Sequence, residues 1–181
     1  MIEISFSLGM LFITAVWCLI RGVCWILNKK VDFKRELQLL LVYVCIIVVA
    51  RFTFYPFGKV DGHIQPLLLD PYNLYPFHVN FVPFVYLFDY PTQGEILLNL
   101  IGNTAMFIPL GIVWPTVFKG LNTHGKAISA GFGVSLAIEL LQLPFFGRVS
   151  DIDDLILNTL GYLLGYGILL LVRFVKKKCV A

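Results

Sequence analysis

Five apolar runs, each close to the length of a membrane span, constrain this chain more than any other feature. They cover about Ile4 to Leu27, Leu37 to Phe57, Ile96 to Phe118, Ala127 to Leu143 and Asp153 to Val175. A helix rises about 1.5 Å per residue, so about 20 mainly apolar residues cross about 30 Å of hydrocarbon. Of the 181 residues 59% are hydrophobic, where roughly 45 to 50% is usual for soluble domains. The expectation is an all-α integral membrane bundle of about five transmembrane helices, forming a single domain over residues 1–181. No basic region or small-residue cleavage site accompanies the first run, so it reads as a retained span and not a signal peptide.

The net charge of +3 is small, which argues against nucleic acid as a partner; its meaning lies in where the cations fall. They group as Lys29, Lys30, Lys34 and Arg35 after the first run, Lys119 and Lys126 after the third, and Arg173 with Lys176, Lys177 and Lys178 at the end. Basic loops stay cytoplasmic. A multi-pass protein of the cell membrane, N-terminus outside and C-terminus cytoplasmic, satisfies all three groups at once. The cysteines Cys18, Cys24, Cys45 and Cys179 lack metal-ligand spacing and read as small hydrophobes.

Residues 58–95 form a long connection that this orientation places outside the cytoplasm. Pro66, Pro71, Pro76, Pro83 and Pro91 forbid a continuous helix there. Its aromatic residues (Tyr72, Tyr75, Phe77, Phe81, Phe84, Tyr86, Phe88, Tyr90) suit the membrane interface, as short interfacial helices or a re-entrant piece.

The segment Arg148-Val149-Ser150-Asp151-Ile152-Asp153-Asp154 concentrates charge in a chain that is only 14% charged, and it runs straight into an apolar helix. Helical spacing puts Asp151, Asp154 and Asn158 on one face. Asn99 and Asn103 share a face of the third run, Ser135, Glu139 and Gln142 a face of the fourth, and Arg51 lies near the end of the second. The orientation brings all of these to the outer leaflet. An Arg or Asp facing lipid at a helix centre costs about 2.5 to 3.5 kcal/mol, so such residues turn to the bundle interior or to water.

One outward-opening pocket follows, lined by Arg51, Asn99, Asn103, Glu139, Gln142, Arg148, Asp151, Asp154 and Asn158, with the arginines partnering the acids. Gly102, Gly131, Gly133, Gly161 and Gly165 would permit close helix approach. Plainer readings stand beside this one. Asp151 or Asp154 caps the fifth helix, Asp153 is solvated at the surface, and the asparagines simply join helices.

These residues carry a resemblance. Arg51-Phe52-Thr53-Phe54-Tyr55-Pro56, Asn80-Phe81-Val82-Pro83-Phe84, Asn99-Leu100-Ile101-Gly102-Asn103 with Phe107-Ile108-Pro109-Leu110-Gly111, Ile138-Glu139-Leu140-Leu141-Gln142, and Arg148 through Gly165 occur in this order. Over about residues 40–175 the chain resembles the VanZ-like membrane proteins. The resemblance implies a role at the cell envelope and a link to low-level resistance to teicoplanin, a lipophilic glycopeptide; it implies no settled reaction and leaves any cofactor unknown.

Two functions fit. The first is a protein that binds membrane lipids, a lipid-linked cell-wall component or a lipophilic glycopeptide in the pocket. The second is a membrane enzyme acting on a lipid-linked or phosphate-bearing substrate. There Glu139 would be general acid or base, and Asp151 and Asp154 oxygen ligands to a divalent cation. No metal signature supports the cation.

Overall fold

The structure, a computed structural model, describes residues 1–55, 59–60, 62–70, 78–85, 92–121 and 123–180. It is mostly helical: α1 (Phe6–Asn28), α2 (Phe33–Phe54), α3 (Gln93–Val117), α4 (His124–Gln142) and α5 (Ile152–Val180). Four of them, α1, α2, α3 and α5, are long and apolar enough to cross a membrane. The 19-residue α4 is not among them. His124, Lys126, Ser135, Glu139 and Gln142 dilute its apolar residues.

Local chemistry sets the helix ends. The Ser5 hydroxyl accepts from the Leu8 amide at 3.2 Å, and the Asp32 carboxylate from the Lys34 and Arg35 amides at 3.0 and 3.3 Å. Thr92 and Glu95 have capping-box spacing, and the Thr92 hydroxyl accepts from the Glu95 amide at 3.2 Å. The second helix stops at Phe54, short of the expected Phe57. Tyr55 is extended (φ −113°, ψ 139°), as expected of a residue that precedes proline.

The fifth helix runs past Val175, so the basic tail is helical.

The long connection departs from expectation. Where it is described between α2 and α3, short strands replace the expected interfacial helices. They are β2 (Lys59–Val60), β3 (His63–Ile64), β4 (Leu67–Leu69) and β5 (Val79–Asn80), joined by β1 (Ile2–Ile4) at the N-terminus and β6 (Ser150–Asp151) before α5. Prolines interrupt the helical ladder, and two- or three-residue extended pieces instead find backbone partners elsewhere in the chain. The expected interfacial placement of Tyr72, Tyr75, Phe77, Tyr86, Phe88 and Tyr90 lies outside the described residues.

The chain divides into two compact units. The first comprises Met1–Asn73 and Pro144–Gly147. Here β1 pairs antiparallel with β4, Ile2 opposite Leu69, and β2 with β3. Thr14 and Tyr43 share a 2.7 Å hydrogen bond between α1 and α2, and Arg21 pairs with Glu36 through two guanidinium nitrogens. That ion pair lies inside two apolar helices, where each charge satisfies the other.

The second unit comprises Leu74–Leu143 and Arg148–Ala181. Its core is α3 packed along α5, and three glycines set the distance. A Cβ added at Gly161 or Gly165 would overlap the carbonyl oxygen of Thr104 or Ile108, and one at Gly111 would overlap that of Tyr162. Thr104 meets Gly161 and Ile108 meets Gly165, four residues on in both helices, so α3 and α5 run parallel. Arg173 extends this contact by donating to the Pro115 carbonyl at 3.3 Å. The helix α4 lies antiparallel to α5, with Gly131 against the Tyr162 ring. Of the glycines expected at close approaches, Gly131, Gly161 and Gly165 are there, whereas Gly133 faces open space. The spacing of the third run contained Gly111 as well, but nothing in the sequence showed which carbonyl it meets.

Gly161→Ala is therefore expected to destabilise the protein by about 1 to 3 kcal/mol, because backbone cannot move aside as a side chain can. Gly133→Ala should be neutral or stabilising, since alanine is the better helix former. Thermal unfolding of the two variants in detergent checks this opposition of sign.

Candidate functional site

The second unit gathers its acids at one end, where α3 begins, α4 ends and α5 begins. Lys119, Lys126, Arg173 and Lys176–Lys178 belong to the opposite end. At the acidic end the chain enters α5 through Asp151, whose Oδ1 accepts from the Asp153 amide at 2.9 Å. The capping reading of Asp151 is thus realised. The same oxygen accepts from the Asn80 amide group at 3.1 Å, and the Asp151 backbone amide donates to Glu139 Oε2 at 2.9 Å. One residue joins the loop, α4 and α5.

Glu139 is 3% exposed, so this neighbouring backbone donor matters to a carboxylate removed from water. Asp154, one turn into α5, accepts a hydrogen bond from Asn103 of α3. Arg148 lies close enough for the charge of Asp154 to support its cationic form, while burial lowers the guanidinium pKa. An arginine keeps its charge through such a shift. Ser135, fully buried one turn from Glu139, donates to the Leu155 carbonyl at 3.5 Å. Gln142 is buried in the last turn of α4, and Asn99 precedes Asn103 by one turn of α3. Asn158 is 1% exposed, and its Oδ1 has no hydrogen-bond partner among the described residues.

The structure thus brings Asn103, Glu139, Arg148, Asp151 and Asp154 together, with Asn158 one turn further down α5. Arg51 belongs to the first unit. Its guanidinium donates to the Tyr55 carbonyl at 3.1 Å and lies over the Phe6 and Phe52 rings, 5.5 and 5.4 Å from their centroids. Among the described residues no group of three or more His, Cys, Asp or Glu is placed to hold a metal ion. Oδ1 of Asp151 accepts from two amides and Oδ1 of Asp154 from that of Asn103.

Two members were missed in the sequence. Asp153, read as solvated, is 3% exposed because the Phe84 amide donates to both of its oxygens, at 2.9 and 3.1 Å. Asn80 was visible only as part of a motif. It bonds Asp151, and its own Oδ1 accepts from the Val82 amide at 3.1 Å, turning the chain ahead of Pro83. The strands β5 and β6 pair in parallel, and the Ser150 amide donates to the His78 carbonyl at 2.9 Å. Phe84 is held at φ 63°, a conformation that a bulky residue rarely adopts. The segment is therefore built onto the start of α5, and it presents Phe81, Val82, Phe84 and Val85 as an exposed apolar tip.

On another face of α5 from Asp154 and Asn158, Phe132 of α4 and Ile152, Leu155, Ile156, Thr159, Leu160 and Leu163 of α5 line a mainly apolar groove of about 360 Å³. Polar cluster and groove share the first turns of one helix.

The family model VanZ/LLP1 matches residues 40–173. The chain belongs to the VanZ/LLP1 family. The matched span takes in α2 from Leu40 and all of the acidic cluster. Among curated proteins, Protein VanZ of Enterococcus faecium is 29% identical over 102 residues, which is 56% of this chain and 58% of that protein. The match thus spans little more than half the length of the relative. No solved structure gives a significant match.

Asp153→Ala is expected to release the segment 78–85, which should then be cleaved faster in limited proteolysis. Asp153→Asn keeps an acceptor for the Phe84 amide and should lie between. Losing the acceptor of a buried amide costs about 1 to 3 kcal/mol, and thermal unfolding of the same variants checks that figure.

Proposed function

We propose that this VanZ/LLP1 family member binds an amphiphile or a lipid-linked envelope component at the acidic end of its second unit. The observation that carries this reading is the pairing of a polar cluster with an apolar groove on the first turns of α5. An amphiphile needs both kinds of surface, and the start of α5 carries them on two of its faces. The groove volume falls in the range of small-molecule sites, about 300 to 1,000 Å³. The exposed tip of Phe81, Val82, Phe84 and Val85 would enter the membrane interface above the site, where aromatic and aliphatic residues are favourably placed.

In this reading α4 crosses the membrane with the other four helices. Lys119, Lys126 and Lys176–Lys178 mark the cytoplasmic end, the acidic end faces outward, and the protein resides in the cell membrane. The resemblance to the VanZ-like proteins makes teicoplanin a reasonable probe. Arg148 would meet a phosphate on the ligand, and an arginine can do so through two parallel bonds.

The test uses the full chain in detergent micelles, with fluorescently labelled teicoplanin and a polyprenyl phosphate as separate probes. Saturable binding of either is expected, weakened at least about tenfold by Arg148→Ala or Glu139→Gln, a loss of about 1.4 kcal/mol. Binding no better than to an unrelated membrane protein, or equal in wild type and both variants, would sink the proposal.

A further inference from the structure

In the first unit α1 has no buried residue, although α2 runs beside it. The two helices meet through a few contacts. The Thr14 hydroxyl donates to the Met10 carbonyl at 2.7 Å and accepts from the Tyr43 hydroxyl at 2.7 Å. The Trp17 and Tyr43 rings have centroids 5.5 Å apart, and Arg21 pairs with Glu36. Along these contacts the helices leave a groove of about 470 Å³ with almost wholly apolar walls.

The groove runs from Thr14 and Tyr43 at its inner end to Trp25 and Phe33 at its outer end, where α2 begins. That distance is about 15 Å at about 1.5 Å per residue. Bilayer hydrocarbon is about 30 Å thick, so the groove is about one leaflet deep. Its outer end adjoins the turn between the helices. There Lys29, Lys30, Lys34 and Arg35 stand against Asp32, while Glu36 is engaged with Arg21. A cationic turn over an apolar slot matches the headgroup and chain of an anionic lipid in order and in length, and cations directly beside a membrane helix attract such headgroups.

Size decides between occupants. Spread over about 15 Å, the groove volume gives a mean cross-section of about 30 Å². A helix about 10 Å across needs about 80 Å², so a helix of a second copy is too wide. An acyl chain is a single file of methylenes.

We propose that this groove binds one anionic glycerophospholipid, with one acyl chain between α1 and α2 and the phosphate at the turn. Lys29, Lys30 and Lys34, all exposed, would attract the phosphate. Glu36 takes two of the five N–H donors of Arg21, and others would reach the ester oxygens of the glycerol. Trp17 and Trp25 would flank the chain. Bound lipid would cover a face of α1 that the first unit leaves bare. The site lies wholly in the first unit, and it depends neither on the ligand proposed for the second nor on which side of the membrane the turn faces.

The chain has three tryptophans, and Trp114→Phe leaves only Trp17 and Trp25, both on the groove. The full chain with that substitution is reconstituted at low density into mixed phosphatidylcholine and phosphatidylglycerol vesicles. One or the other lipid carries bromine at mid-chain, which quenches tryptophan fluorescence on contact. Brominated phosphatidylglycerol should quench as if bound at least about fivefold more tightly than brominated phosphatidylcholine, the effect of a single cation beside an anionic headgroup. Replacing Lys29, Lys30 and Lys34 together by glutamine should abolish this preference. So should Cys18→Phe or Leu40→Phe, which fill the groove and leave the charges in place. Cys18 and Leu40 are exposed, so neither substitution disturbs buried packing, and thermal unfolding checks that each variant folds. Loss of preference in the lysine variant and in either groove variant supports the site. Equal quenching by the two lipids, or a preference that survives the filled groove or the loss of the lysines, overturns it. Quenching that disappears as protein density in the vesicles rises also overturns it, because a second copy then covers the groove.

Discussion

The contact of α3 with α5 at Gly111, Gly161 and Gly165 sets the spacing on which the second unit depends. Each glycine hydrogen stands where a Cβ would meet a carbonyl oxygen of the facing helix. In a membrane, apolar side chains gain little by leaving lipid for protein, so association rests on close van der Waals packing and on polar bonds between helices. Backbones this close let Asn103 reach Asp154 across the two helices. The polar cluster is a consequence of the glycine packing as much as of its own charges.

The carboxylates are satisfied in an order that the count of charges did not suggest. Arginines were the expected partners, and Arg148 does lie within reach of the charge of Asp154, but backbone and side-chain amides also bond the acids. Glu139 takes the Asp151 amide, Asp151 the Asp153 amide and Asn80, Asp153 the Phe84 amide, and Asp154 takes Asn103. Amides come from several directions at fixed positions. The start of α5 therefore becomes a junction of loop, α3 and α4. Arg148 stays beside it as one cation among several acids, which suits a ligand carrying its own negative group next to an apolar tail.

The same unit is polarised from end to end, acids at one pole and lysines at the other, with a buried polar seam between. Membership in the VanZ/LLP1 family attaches this arrangement to a group of membrane proteins without fixing its chemistry. Tyr162 and Asn158 are costly to bury as they stand. That cost is what sets the seam apart from ordinary packing.

The sequence alone determined the helices and the family. Apolar runs of span length, proline and cap positions, and the order of the motifs are local properties, and they located all five helices to within a few residues, except where α5 continues through its basic tail. Helical spacing also placed Glu139 with Ser135, and Asp151 with Asp154 and Asn158, because a face depends only on the 3.6-residue repeat. What Arg51 meets within the first unit was not a local matter, and there the structure gives it a carbonyl and two aromatic rings. Only tertiary structure decided that Asp153 is buried, that Asn80 reaches Asp151 across 71 residues, and that short strands replace helices in the long connection. Each of these turns on an amide, of the backbone or of the Asn80 side chain, finding an acceptor far away in sequence, and every non-proline residue carries the same backbone amide. Composition and periodicity therefore hold no record of which one is used.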